Sequence, residues 1–567
     1  MKRKRKLLLF LVALLGAGAY WWYVRQGPHI PANAVLVVHL HGSYPEAAPE
    51  GLWSKLFAPR EIPLPEALLT LRKCAADSRI RALIVRISDL EVGWAKATDL
   101  REAIAAVRKA GKATIALLEQ EGGNANLPYY IASASERVYV VPAGNVALRG
   151  LAARYMFLGG LWEKLHIEMD VEKMAEYKTA GDFLAGKEMT TAHREMANSL
   201  LDDVNDFYLG TIALARALPV EAVRELVEQQ GPSGAESLYD AKLIDGAKFL
   251  DDVRLELGAD QRSLVDESTY ARVPPTRLGL QRGPVVAVVL AAGTIAPGES
   301  HRSSVGAVAG ADSLHRALDE ASRDPAVQAI VLRVDSPGGS ALASDVVWRA
   351  VQEARKRKPV VASFSDVAAS GGYYIASGST RVVAQPNTLT GSIGVVFARP
   401  NIRGFLEHWG VHTETIARGQ WATLDDVTSP LSDAGRERLR TEVQRTYDLF
   451  LRRVSEGRGL PKEQVHEVGR GRVWTGRQAK DVGLVDVLGG FYTALDVAKQ
   501  EAGIPADQDP ALLFLPAPKG FFEALEEALE TRVAASLPRL VRELIRLFPS
   551  AIDSAPAPLL PDAIVIQ

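Results

Sequence analysis

Residues Pro359–Thr380 read PVVASFSDVAASGGYYIASGST. The run Val360–Phe364 is apolar with no helical spacing, which predicts a strand. The chain then turns through Ser365–Ala369 into Ser370-Gly371-Gly372 and leaves as a helix-like segment, Tyr373–Ala376. A strand that breaks sharply into a helix exposes the side chain at the break beside backbone N–H groups with no helical acceptor. Gly371 and Gly372 carry no Cβ, so a bound backbone can approach Ser370 closely. Ser370 is therefore a candidate nucleophile, and Gly371 and Gly372 are candidate substrate-binding positions. The competing interpretation is a serine that only caps the helix ahead of a glycine turn.

The end of this stretch occurs twice. PYYIAS at Pro128–Ser133 matches GYYIAS at Gly372–Ser377, with Tyr129 and Tyr373 244 residues apart. The same spacing carries Arg137 to Arg381, Pro142 to Pro386, Gly150 to Gly394, Glu163 to Glu407 and Tyr177 to Trp421. Upstream, AVLVVHLHGS (Ala34–Ser43) matches VVAVVLAAGT (Val285–Thr294), and ALIVRIS (Ala82–Ser88) matches AIVLRVD (Ala329–Asp335). A duplication on this scale predicts two copies of one structural unit. Each copy alternates uninterrupted apolar runs with amphipathic segments such as Ala311–Ser322. The fold class is thus α/β, with largely parallel sheets buried on both faces. The expected organisation is an N-terminal segment 1–28, a first repeat 29–275, a second repeat 276–513 and a tail 514–567. The join falls near Tyr270–Pro284, with Pro274-Pro275 as linker. Two amphipathic helices, roughly Phe521–Val533 and Leu537–Phe548, are expected in the tail before a Pro-rich end.

The 567-residue chain is too long for one core, and its 24% charged and 47% apolar residues are ordinary globular material. A net charge of −2 gives no basic field for nucleic acid. The single cysteine, Cys74, excludes an internal disulfide and a thiolate metal cluster; it lies in a predicted helix, Leu64–Ala76, and is a poor nucleophile candidate. At the N-terminus, Lys2–Lys6 precede the apolar run Leu7–Val24, which ends in Tyr20-Trp21-Trp22-Tyr23. That pattern predicts a single transmembrane anchor with its basic end in the cytoplasm and the body outside. Ala17-Gly18-Ala19 also has the form of a signal-peptidase site, so cleavage after Ala19 is the alternative to an uncleaved anchor.

The two repeats differ where chemistry would sit. The second has Ser336-Pro337-Gly338-Gly339-Ser340, Ser370-Gly371-Gly372 and Thr390-Gly391-Ser392-Ile393-Gly394 at successive strand ends. The first has Asp89-Leu90-Glu91-Val92-Gly93, Asn126-Leu127-Pro128 and Val146–Gly150 at the same places. Folding demands apply to both copies alike, so hydroxyls and glycine pairs kept in one copy point to a site, at the strand ends where open α/β sheets bind ligands. A serine nucleophile needs a base. The ten histidines show no triad-like placement, although a Ser-His-Asp arrangement stays open. A buried lysine is the other common base. Tyr177-Lys178-Thr179 aligns with Trp421-Ala422-Thr423, so the repeat with the serine lacks the lysine and the repeat with the lysine lacks the serine. A lone lysine is ordinarily a solvated charge, and only this complementarity singles out Lys178 as general base. Glu176 and Asp182 would raise its pKa, so they are expected to point away.

SPGGS, the Asp366–Tyr374 run, LTGSIGVV at Leu389–Val396 and EYKTAGDF at Glu176–Phe183 together resemble the signal peptide peptidase A family in its long, tandem-repeat bacterial form. The resemblance runs from the anchor to about residue 513. It implies two tandem Clp-protease/crotonase-like repeats, a Ser370–Lys178 dyad, Ser392 orienting the lysine amine, and an oxyanion hole from the Gly338–Gly339 backbone. It further implies a homotetramer at the periplasmic face of the inner membrane, acting on signal peptides and other short hydrophobic peptides, with no cofactor, metal or nucleic acid. Other interpretations are a quality-control protease of the same superfold, a crotonase-type acyl-CoA enzyme and a non-catalytic scaffold. An outward-facing body argues against the acyl-CoA enzyme, and the retained serine, lysine and glycine loops argue against the scaffold.

Overall fold

A computed structural model describes residues 28–47, 61–303, 306–516 and 565–566. The expected anchor Leu7–Val24 and the two expected tail helices lie outside the described residues. Among the described residues, no helix is long and apolar enough to cross a membrane.

Each repeat is built on a largely parallel sheet. In the first repeat the order is Gly246–Ala247, Arg137–Val140, Ala113–Leu118, Ile80–Glu91, Ala34–Ser43 and Leu264–Asp266, with every pair parallel. In the second repeat Val360–Ala369, Val327–Ser336, Gly283–Ala292 and Pro510–Leu515 run parallel side by side. Strand Val360–Ala369 then forks. Its early residues pair with Arg381–Ala384, and its last three with Leu389–Gly391. The later branch reaches the turn itself, where the Ser370 amide donates to the Gly391 carbonyl at 2.9 Å.

Buried β-branched runs explain the central strands: Val286–Val289 and Ile330–Leu332 are fully buried because helices cover both faces. Parallel neighbours require crossovers, and amphipathic helices supply them. Leu64–Ala76 forms over the predicted span and buries Leu64, Leu68 and Leu71, while Ala311–Arg323 buries Leu314, Ala317, Leu318 and Ala321. Cys74 is buried in the first of these helices, and burial pushes its thiol up to about 12, well away from a reactive thiolate.

The repeats dock through charge as well as apolar surface. Arg333, on a central strand of the second repeat, is completely buried and reaches into the first. Its guanidinium meets Glu46 at 3.0 Å and Asp99 at 3.1 Å, and also donates to Ser363 Oγ and the Phe364 carbonyl. Removing a buried cation strands its carboxylates in low dielectric, a loss of about 3–5 kcal/mol. Arg333→Met is therefore expected to lower unfolding free energy by that order, read from denaturant melts. A melt that coincides with wild type would show the cluster to be energetically idle. A second seam is antiparallel: Val395–Asn401 of the second repeat pairs along its length with Glu168–Met174 of the first. It continues directly into the loop carrying Lys178.

Candidate active site

The segment Val360–Ala369 ends, as the apolar run predicts, at Ser370, which precedes the helix Gly371–Ser377. Ser370 adopts φ 53° and ψ −117°, a conformation that L side chains rarely occupy. It costs about 1–3 kcal/mol and survives only where the surroundings enforce it. Its side chain makes no capping hydrogen bond to the helix, so capping is not what holds it. At the same place in the first repeat Asn126 opens the helix Asn126–Ala132, after Ala125 at an ordinary φ of −104°. The Asn126 side chain is tied to the Gly150 carbonyl and the Tyr208 hydroxyl. The first repeat has lost both the hydroxyl and the strain.

Three glycines let this turn nest. A Cβ on Gly338, itself at φ 114°, would stand 2.8 Å from Ser370 Cβ. One on Gly371 would meet Ser344 Oγ at 2.6 Å, and one on Gly372 would meet the Ser336 carbonyl at 2.7 Å. The space beside Gly371 and Gly372 is thus filled by the Ser336–Ser344 segment of the chain itself. Ser336 is fully buried, and its Oγ accepts the Gly338 amide at 3.1 Å. The Gly338 amide is therefore engaged locally, whereas Gly339 places its amide next to Gly371 at the start of the helix.

Lys178 comes from the loop between the strand Glu168–Met174 and the helix Ala180–Ala185. Its Nζ lies 2.9 Å from Ser370 Oγ, 2.9 Å from Ser392 Oγ and 3.0 Å from the Ser392 carbonyl. Ser392 is also held at positive φ, 51°, which turns its hydroxyl and carbonyl onto the same amine. The lysine stem is threaded past two glycines. A Cβ on Gly394 would stand 3.2 Å from Lys178 Cδ, and one on Gly471 would strike its backbone nitrogen at 2.5 Å. The neighbouring Tyr177 is buried, with Arg472 over its ring at 4.9 Å and its hydroxyl donating to Glu195.

Lys178 is only 2% exposed, and burial pulls its ammonium down to about 7. Neither neighbouring carboxylate opposes this, because Glu176 turns outward to Arg470 at 3.2 Å and Asp182 pairs with Lys173 at 2.5 Å. The expectation that both acids point away agrees with these pairings. An amine with this value is about half neutral at pH 7, so it can take a proton from a hydroxyl 2.9 Å away. The activity of the site is accordingly expected to rise with pH through about 7 and then level off. A flat pH profile between 6 and 8 would rule out a neutral lysine in the rate-limiting step. Burial also carries a stability cost with a definite sign. The unfolded lysine keeps its proton up to about 10.4, so between 7 and that value the unfolded state binds more protons and stability rises with pH. The penalty is full below pH 7. At pH 6, Lys178→Met should therefore melt at a higher temperature than wild type, and an unchanged or lower melting temperature would contradict the burial penalty.

The strand that ends at Ser370 is also gripped from the first repeat. Asp366 accepts the backbone amides of Gly93 at 3.1 Å and Lys96 at 2.9 Å, and the Lys96 ammonium meets Asp335 at 2.8 Å. A Cβ on Gly93 would collide with the Asp366 carboxyl at 2.4 Å. In the sequence Asp366 stands only as the first residue of the Asp366–Tyr374 run, and Lys96 belongs to no motif. The signal was available in Gly93, a glycine that stands where the second repeat has Ser340.

Peptidase family S49 matches the chain twice, over residues 106–264 and 352–505, so the family pattern repeats with the duplication. The chain is 34% identical over 520 residues to Serine protease SPPA, chloroplastic, of Arabidopsis thaliana, covering 90% of this chain and 74% of that protein. It is 32% identical over 459 residues to Protease 4 of Haemophilus influenzae, covering 78% of this chain and 73% of the relative. Protease 4 of Salmonella typhi is 32% identical over 386 residues, 66% of this chain and 62% of that protein.

Proposed function

The chain belongs to peptidase family S49 and is a serine peptidase, and from that premise we propose that it cleaves peptides with a Ser370–Lys178 dyad shared between its two repeats. The observation that carries this reading is the 2.9 Å contact between a strained serine and a lysine kept near neutrality by burial. Neutral Lys178 takes the Ser370 proton as Oγ attacks the scissile carbonyl. The resulting ammonium gives that proton to the leaving amine, and water then releases the acyl group with Lys178 again as base. Ser392 holds the amine in line through its hydroxyl and carbonyl. The developing oxyanion is placed against the amides of Gly339 and of Gly371 at the helix start, with Gly338 shaping the loop; one such donor contributes about 3–4 kcal/mol. No metal or cofactor enters the scheme.

The substrates proposed are signal peptides after their release and other short hydrophobic peptides, as the resemblance of the SPGGS, Ser370 and Lys178 motifs to the signal peptide peptidase A family implies. We place the body outside the cytoplasm on an N-terminal anchor at the bacterial inner membrane, on the strength of Lys2–Lys6 followed by Leu7–Val24, and we take the working form to be a homotetramer. The domain limits proposed are 29–275 and 276–513. A fluorophosphonate probe should label wild type at Ser370, and labelling elsewhere would displace the nucleophile. Protease added to spheroplasts should digest the body; protection of the body, with an outer control cut, would invert the topology.

A further inference from the structure

The strand that ends at Ser370 loses its regular ladder just before the turn. Between Val334↔Phe364 and Ser336↔Ala368 one strand advances two residues and the other four. The matching strands of the first repeat pair in register from Ala82↔Ala113 to Ile87↔Leu118. A bulge re-aims a strand end and leaves residues without ladder partners. Here side chains and the first repeat hold them instead. Asp335 Oδ1 accepts the Val367 amide at 3.2 Å, and the Asp366 carboxylate accepts the amides of Gly93 and Lys96. The Lys96 ammonium serves both acids, 2.8 Å from Asp335 and 3.7 Å from Asp366.

These groups are one-sided in the duplication, as the serine and the lysine are. Asp335 stands where the first repeat has Ser88, Asp366 where it has Gly122, and Lys96 where the second repeat has Ala343. The helix Trp94–Lys109 starts after Gly93, which has no side chain to cap it, and its first turn carries no acid. The counterpart helix Ala341–Arg355 is capped within its own repeat, Ser340 Oγ accepting the Ala343 amide at 3.3 Å. A helix start needs acceptors for its free amides, and an anion suits its dipole. The first repeat takes that anion from the second. Docking alone does not call for this contact, since Arg333 with Glu46 and Asp99 already joins the repeats. Its place in the chain is the telling feature: Ser370 lies four residues beyond Asp366, and Gly338 and Gly339 lie three and four beyond Asp335.

We propose that Lys96, Asp366 and Asp335 form a positioning clamp, through which the first repeat fixes the Ser370 turn and the Gly338–Gly339 loop in one relative placement. The three act through the two strand ends and not on the reacting atoms. A misplacement of about 1 Å between reacting groups costs on the order of 10²-fold in rate. The inference rests on Ser370 being the nucleophile, and it makes the first repeat a source of alignment as well as of the base.

The test follows fluorophosphonate labelling of Ser370 in the full chain, with the labelled fraction and the rate per site measured separately. Lys96→Met should label fully but at least tenfold more slowly, with kcat lowered and KM nearly unchanged. Asp366→Asn keeps the shape of the carboxyl and should label several-fold more slowly, so it carries the test if the methionine variant does not fold. The activity midpoint near pH 7 should stay in place, because burial alone lowers the Lys178 value. Gly93→Ser with Asp366→Ala moves the cap into the first repeat, as Ser340 does in the second. That pair should melt higher than Asp366→Ala alone and still label slowly. A merely structural contact would lower the labelled fraction at an unchanged rate per site, or would regain the full rate with the new cap. Either result, a wild-type rate in a single variant that folds, or a shifted pH midpoint would overturn the clamp and leave the dyad standing. Wild type labelled away from Ser370 would sink the dyad and the clamp with it.

Discussion

Lys178→Arg is expected to be as inactive as Lys178→Ala, with turnover down by about 10⁴-fold or more. Guanidinium keeps its proton at any accessible pH and cannot accept one from Ser370. A merely electrostatic or structural lysine would predict the opposite, because arginine preserves the charge. The site is tight, with Gly394 and Gly471 against the lysine stem, so misfolding of the arginine variant must be separated from loss of the base. Two measurements do that. Lys178→Met has nearly the same shape and should stay folded yet inactive, and Lys178→Ala should regain part of its activity from small primary amines, with a pH profile following the added amine. Substantial turnover by the arginine variant would end the Ser–Lys assignment.

Ser370→Ala should abolish peptide hydrolysis to a similar extent and leave the fold unchanged or slightly more stable, because the hydroxyl contributes no helix cap. The backbone strain at φ 53° persists in alanine, so the gain is small; Ser370→Gly should relieve it and melt higher still. The double variant Ser370→Ala/Lys178→Met should be no less active than either single one, since residues acting as a unit lose their effect together. If the two losses multiplied, the residues would be working separately. Residual activity above a few per cent in Ser370→Ala would move attention to Ser392, because Ser336 has its Oγ committed to the Gly338 amide.

Much of this architecture is visible in the residues themselves. Apolar runs such as Val360–Phe364 become central strands because burial on both faces leaves no periodicity to mislead. The duplication supplies the comparison that singles out Ser370 and Lys178, two residues that are bland alone. What stays hidden depends on distance along the chain. Arg333 reads as an ordinary strand residue until Glu46, 287 residues earlier, arrives beside it. Gly471 and Arg472 look like a surface turn and prove to shape the lysine's channel. The Gly338 amide, assigned to the oxyanion hole from the motif, is engaged by Ser336 because the loop curls back on its own strand end, a geometry with no sequence periodicity.

The split of the proposed dyad across the repeats also sets a timetable. Lys178 leaves the ribosome 192 residues ahead of its partner, and it stays a solvated, protonated cation until the second repeat folds around it. Neutrality at Lys178 needs the burial that the second repeat supplies, so a chain with only its first repeat folded would carry no working base. Such an order would spare the nascent chain from its own peptidase activity.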